Sequence, residues 1–167
     1  CIYFLTFRYI YCYRPEKGIS VIEPDNPLEF SFHVNNRLLT LEWGKGLSIL
    51  ENGKLKLLNG GDFFAHRPIA SILPYSKDQL IIFTIRDGAF LYDGHTPTPF
   101  QLENHVALNN LVINQAIMLK DGTFALGTQN NGLIVINRIG HLLLHLTRNK
   151  GLFDQTILAL YQDAHEN

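Results

Sequence analysis

A turn ending in glycine, set between two β-rich runs, occurs three times in this chain, and its spacing constrains the fold more than any other feature. The copies read Glu42-Trp43-Gly44-Lys45-Gly46-Leu47-Ser48-Ile49-Leu50, Thr84-Ile85-Arg86-Asp87-Gly88-Ala89-Phe90-Leu91-Tyr92 and Thr128-Gln129-Asn130-Asn131-Gly132-Leu133-Ile134-Val135-Ile136. Their glycines recur every 42 to 44 residues. A β-only unit of about 40–45 residues has the period of one propeller blade, four antiparallel strands per repeat. The expected class is all-β: a β-propeller fragment with three complete four-stranded antiparallel blades and parts of two more.

Composition agrees with this and narrows the function. Of 167 residues, 46% are apolar, which is globular. Only 17% are charged, and the net charge of −1 offers no basic footprint for nucleic acid. Lysines and arginines never form a run of four, so no polybasic membrane patch is present. Aromatics at 11% with a single Met favour β-structure packed by rings and branched chains. Cys1 and Cys12 are too few for a disulfide framework; Cys12 reads as a small core residue, and the redox compartment stays open.

Residues 1–13 are apolar, yet shorter than the roughly 20 residues a spanning helix requires. Arg8 interrupts the run, and its aromatic and β-branched residues read as two strands meeting there. With no initiator methionine and no charged leader, the start reads as cut from a longer chain; a lipid-anchored N-terminal cysteine is the lesser alternative.

The strands follow from the turns. Residues 1–25 read as the last three strands of a partial blade, over 3–7, 9–13 and 18–22. A blade over 28–60 has Asn35-Asn36 and Asn52-Gly53 at its turns, residues that tolerate positive φ. A blade over 68–102 ends in an outer strand carrying Pro97 and Pro99, where a missing N–H breaks no inner ladder. A blade over 112–147 repeats the order, and 155–167 supplies the first strand of the next, over 156–162. Helix is weak throughout; the only permissive stretch, 102–111, reads as a connection between blades.

Chemical motifs are mostly lacking. His141 and His145, four apart on a strand, stand about 13 Å from each other, too far for one metal ion at about 2 Å per bond. His33, His66, His95, His105 and His165 show no ligand spacing. Gly44-x-Gly46 lacks a third glycine and a following helix, so no dinucleotide site is read there. Asn59-Gly60-Gly61-Asp62 reads as a turn ahead of an anion nest. No cofactor and no metal are expected, and no catalytic residues are assigned.

Function in such folds is carried by the connections between blades together with the hairpins joining second and third strands. Here those are 60–67, 103–111 and 148–155, with 43–45, 86–87 and 129–131. The ligand-binding candidates are Trp43, Lys45, His66, Arg67, Arg86, Asp87, Gln129 and Asn130. Trp43 is suited to stacking on a sugar ring, and Arg86, Asp87, Gln129 and Asn130 to hydrogen-bonding hydroxyls. The plainer alternative has Trp43 packed between blades and the polar residues as solvated turns.

Phe124-Ala125-Leu126-Gly127-Thr128, Asn131-Gly132-Leu133-Ile134-Val135-Ile136-Asn137, Gly151-Leu152 and Thr156-Ile157-Leu158-Ala159-Leu160-Tyr161-Gln162-Asp163 together resemble the two-component regulator propeller repeat, and Gly88-Ala89-Phe90-Leu91-Tyr92-Asp93-Gly94 fits the same template. The likeness extends to the ligand-binding sensor domains of Bacteroidetes-type regulators, hybrid sensor histidine kinases among them, that carry a triple-tyrosine domain after the propeller. It is weakest over residues 1–25. Glu42-Trp43 departs from the Gly-Thr pair common at that place.

The resemblance implies a periplasmic or extracellular sensing domain of a membrane-anchored bacterial receptor, with a kinase or other output beyond this segment. The expected function is binding of a small molecule such as an oligosaccharide. The expected partners are that ligand and a second receptor copy in a homodimer, with no nucleic acid, and membrane contact only through other parts of the parent chain. The alternatives are a non-sensing dimerisation or protein-interaction scaffold and, on fold analogy alone, a polysaccharide lyase or hydrolase.

Overall fold

A computed structural model describes residues 1–102 and 110–163. The 103–109 part of the expected connection, His105 and His165 lie outside the described residues. The chain divides into two compact units, Cys1–Pro68 and Ile69–Asn167.

The first unit holds two antiparallel sheets. One has three strands in the order β1-β2-β3: β1 Ile2–Leu5, β2 Ile10–Arg14 and β3 Gly18–Ile22. The other has four in the order β4-β5-β6-β7: β4 Leu28–Val34, β5 Arg37–Glu42, β6 Gly46–Glu51 and β7 Lys54–Leu57. Asn35 and Asn36 both have positive φ (49° and 58°), the twist-matched conformation of a two-residue hairpin that few side chains tolerate. Ile10, Leu28 and Leu38 form a buried cluster with Leu5, Ile22, Leu50 and Leu55 against it. Leu38, Leu50 and Leu55 are spaced to share one face of their sheet, and that alternation is what fixes the register.

The second unit holds two four-stranded antiparallel sheets in chain order. The first comprises β8 Ile69–Pro74, β9 Leu80–Thr84, β10 Ala89–Tyr92 and β11 Pro97–Phe100. The second comprises β12 Ile113–Met118, β13 Phe124–Thr128, β14 Leu133–Ile136 and β15 Leu142–Leu146. Pro97 and Pro99 lie on β11, which pairs only with β10, so their missing N–H groups are on an outer strand. The core brings Ile81, Phe83, Ala89 and Phe100 of one sheet against Ala116, Phe124, Leu126 and Ile134 of the other. Phe83 and Phe124 meet edge to face with centroids 5.9 Å apart. Ser71 Oγ accepts from the Ala116 N–H at 2.9 Å, tying the two first strands together.

The three four-stranded sheets are the three complete antiparallel blades that the repeat requires. They share an irregularity that periodicity alone does not reveal. In each, the register shifts once near the start of the first strand, between Leu28 and Phe30, Ile69 and Ser71, and Ile113 and Gln115. Directly opposite the first residue of each pair stand Glu42, Thr84 and Thr128. A bulge recurring at one ladder position is a property of the repeat.

One sequence expectation is corrected and another is extended. Residues 156–163 form no strand. They bond to side chains of β12, to single carbonyls of the β13–β14 hairpin and, through the Gln162 side chain, to the Lys120 N–H, and no second backbone makes a ladder with them. Cys12 is a core residue, 4% exposed, but it is also joined to Cys1 by a disulfide. Tyr3 pairs with Cys12 across β1 and β2, which brings the start of the chain alongside it. Among the described residues helix is confined to short 3-10 turns such as Gly61–Phe64 and Arg148–Lys150, and none is long and apolar enough to cross a membrane.

Candidate functional site

The hairpins between second and third strands are built on one plan. Thr84 Oγ1 donates to the Gly88 carbonyl (2.7 Å) and accepts from the Asp87 N–H (2.9 Å). Thr128 does the same with Gly132 (2.8 Å) and Asn131 (2.9 Å). Both threonines are fully buried, so each hydroxyl satisfies turn groups that water does not reach. The glycine four residues on has positive φ, 85° at Gly88 and 71° at Gly132. At Gly132 a Cβ would lie 2.0 Å from the Leu146 carbonyl oxygen, so the position excludes every side chain.

Glu42 fills this place in the first unit with different chemistry. Its side chain is fully buried, takes a hydrogen bond from Ser48 Oγ (2.5 Å) and pairs with Lys45 Nζ at 2.8 Å, Lys45 itself being partly exposed. A carboxylate without these donors would be costly to bury. The hairpin between them holds Trp43 outward, 60% exposed.

The first unit brings four candidates onto neighbouring elements. Gly46, where β6 begins, approaches Gly61 so closely that a Cβ would meet the Gly61 carbonyl oxygen at 2.2 Å, and the Leu58 N–H reaches the Leu47 carbonyl at 3.0 Å. The hairpin carrying Trp43 and Lys45 is thereby fixed against the 3-10 turn that precedes His66 and Arg67. His66 is exposed. Arg67 is committed to structure: its guanidinium lies 4.1 Å from the Phe63 ring centroid and donates to the Phe63 carbonyl at 2.6 Å.

In the second unit, Arg86, Asp87, Gln129 and Asn130 are all exposed at hairpin tips. Two backbone bonds at adjacent residues bring these hairpins together: the Ile113 N–H donates to the Ile85 carbonyl (2.9 Å), and the Gln129 N–H donates to the Val112 carbonyl (2.8 Å). Thr156 Oγ1 adds a bond to the Gln129 carbonyl at 2.7 Å. The expected lining by 103–109 lies outside the described residues.

Sequence reasoning missed the residues that hold these tips in place. The signal was present: Glu42, Thr84 and Thr128 each precede a turn glycine by four residues. No group of three or more His, Cys, Asp or Glu residues is placed to hold a metal among the described residues. His145 Nε2 instead lies 2.9 Å from the Asn131 carbonyl.

Solved structures with this fold include the extracellular domain assigned to the hybrid two-component system BT3049 of B. thetaiotaomicron. It matches 95% of this chain with a TM-score of 0.67 and 15% identity. Hsv2 of Kluyvelomyces marxianus matches 81% of the chain (TM-score 0.52, 15% identity, 59% of Hsv2), and the computationally designed Ika8 protein matches 86% (TM-score 0.50, 10% identity, 47% of Ika8). The likeness is one of fold. The chain spans 23% of the BT3049 structure. No protein-family model and no curated protein matches it.

Proposed function

We propose that this chain is part of an extracytoplasmic ligand-sensing module of a two-component-type signalling receptor, and that a small molecule of the oligosaccharide class binds at the hairpin tips. One observation carries this reading: an indole held outward by a buried, fully hydrogen-bonded carboxylate, in a fold like that of an extracellular two-component domain. An exposed aromatic face on a rigid support loses little conformational entropy on stacking against a sugar. Within the second unit, and independently of Trp43, the exposed Arg86, Asp87, Gln129 and Asn130 offer both donors and acceptors for hydroxyls. The Cys1–Cys12 disulfide fits an oxidising compartment, outside the cytoplasm.

In a sensor of this kind the ligand acts by binding one receptor arrangement more tightly than the other. Calorimetric titration against an oligosaccharide panel tests the reading. A ligand is expected whose affinity falls at least about tenfold, or about 1.4 kcal/mol, in Trp43→Ala, with the melting temperature unchanged. Absence of any binder, or equal binding by Trp43→Ala, overturns it.

A further inference from the structure

In the second unit, Tyr75 and Arg138 hold each other by a reciprocal clasp. Tyr75 follows β8 and Arg138 lies in the turn between β14 and β15, so both stand at the end of their sheets away from the hairpins that carry Asp87 and Asn130. The Tyr75 hydroxyl donates to the Arg138 carbonyl at 2.8 Å, and Arg138 Nη1 donates to the Tyr75 carbonyl. The guanidinium carbon lies 5.9 Å from the Tyr75 ring centroid. The ring is itself anchored, stacked on Phe124 with centroids 6.4 Å apart and edge-on to Phe100 at 6.1 Å. The clasp thus fastens one four-stranded sheet of this unit to the other.

Met118 is the third member of this group. It ends β12, opposite Phe124 in the ladder, and is 37% exposed. Arg138 Nη2 donates to its Sδ at 3.8 Å, while Nη1 stays on Tyr75. It is the single methionine of the chain, and the two cysteines are joined to each other, so its thioether is the one reduced sulfur present. A thioether is a weak acceptor. Oxidation turns it into a sulfoxide, a polar group that disrupts apolar packing where no donor meets it. Here a cationic donor already stands on the sulfur, and hydrogen bonds from charged donors are about twice as strong as neutral ones.

We propose that Met118 is a site of oxidation by peroxide, and that Arg138 takes up the sulfoxide oxygen, so that oxidation tightens the clasp. A sulfur lone pair attacks one peroxide oxygen; the S–O bond forms as the O–O bond breaks, and the departing hydroxide gains a proton and leaves as water. Sulfur is oxidised by two electrons and the peroxide is reduced by two. The new oxygen is met by Nη2, the amino group now on the sulfur, so both hydrogen bonds between Tyr75 and Arg138 are kept.

Dilute hydrogen peroxide added to the 167-residue chain, followed by intact-mass measurement, peptide mapping and thermal unfolding, tests this. One oxygen is expected at Met118, and the oxidised chain should melt at or above the temperature of the untreated one. In Arg138→Gln the same oxidation should lower the melting temperature by about 3 °C, because the sulfoxide then lacks its cationic donor. Should Arg138→Gln fail to fold, variants at the sulfur position serve instead. Met118→Gln, whose amide oxygen stands in for that of the sulfoxide, should melt above Met118→Leu, and neither should gain an oxygen. A native Met118 that stays unoxidised while free methionine in the same tube is converted overturns the proposal. So does an oxidised parent chain that melts below the untreated one, an Arg138→Gln whose melting is indifferent to oxidation, or a Met118→Gln that melts no higher than Met118→Leu.

Discussion

At Glu42 and Lys45 the two halves of one ion pair have unequal freedom. The carboxylate is fully buried, whereas Lys45 retains a path to solvent, its side chain being 27% exposed. Removing the carboxylate therefore leaves a cation that rehydrates, and removing the cation leaves a buried charge supported only by Ser48. Lys45→Met is expected to cost about 3 kcal/mol, and Glu42→Gln clearly less; chemical denaturation of both variants checks the order. Gly132 makes a sterner demand, because its positive φ and the nearby Leu146 carbonyl leave no space for a branched side chain. Gly132→Val is expected to lose more than about 2 kcal/mol, and an unchanged melting temperature would reject that account of the turn.

Elements differ in how firmly they are held. In β5 and β13 nearly every residue is buried, and each lies between two partners in a four-stranded sheet. In β1 and β3 nearly every residue is exposed, and each pairs on one side only. Amide exchange followed by mass spectrometry should show β1 and β3 exchanging well before β5 and β13; equal protection would contradict the packing described. The strands themselves were legible in the sequence because paired asparagines, Asn-Gly and Asp-Gly turns punctuate alternating apolar runs. Residues 156–163 misled for an instructive reason: their pattern is that of a strand, but a strand exists only where a second backbone supplies its ladder. The register shifts were invisible, since one unpaired residue scarcely disturbs an alternation of period two.

For the whole molecule, the repeat period specified the all-β architecture, and likeness to an extracellular domain over 95% of this chain agrees with it. The candidate site was legible only at its tips. Trp43, Arg86, Asp87, Gln129 and Asn130 are exposed as their turn positions require, while Arg67 proved to be held by Phe63, a contact no spacing announces. The Cys1–Cys12 link was equally hidden, because two cysteines carry no framework signal. Iodoacetamide is expected to leave the native protein unmodified until a reductant is added; labelling of both thiols in its absence would remove the redox argument for where the molecule works.

The recurring bulge has a consequence for how one repeat meets the next. Glu29, Ala70 and Asn114 are the residues skipped by the ladder, so no cross-strand neighbour dictates what they must be. At the third of these places the liberated side chain grips the Ile157 carbonyl, outside its own sheet. The fault in the pairing thus serves as a socket: a position released from its own blade is available to fasten whatever comes after.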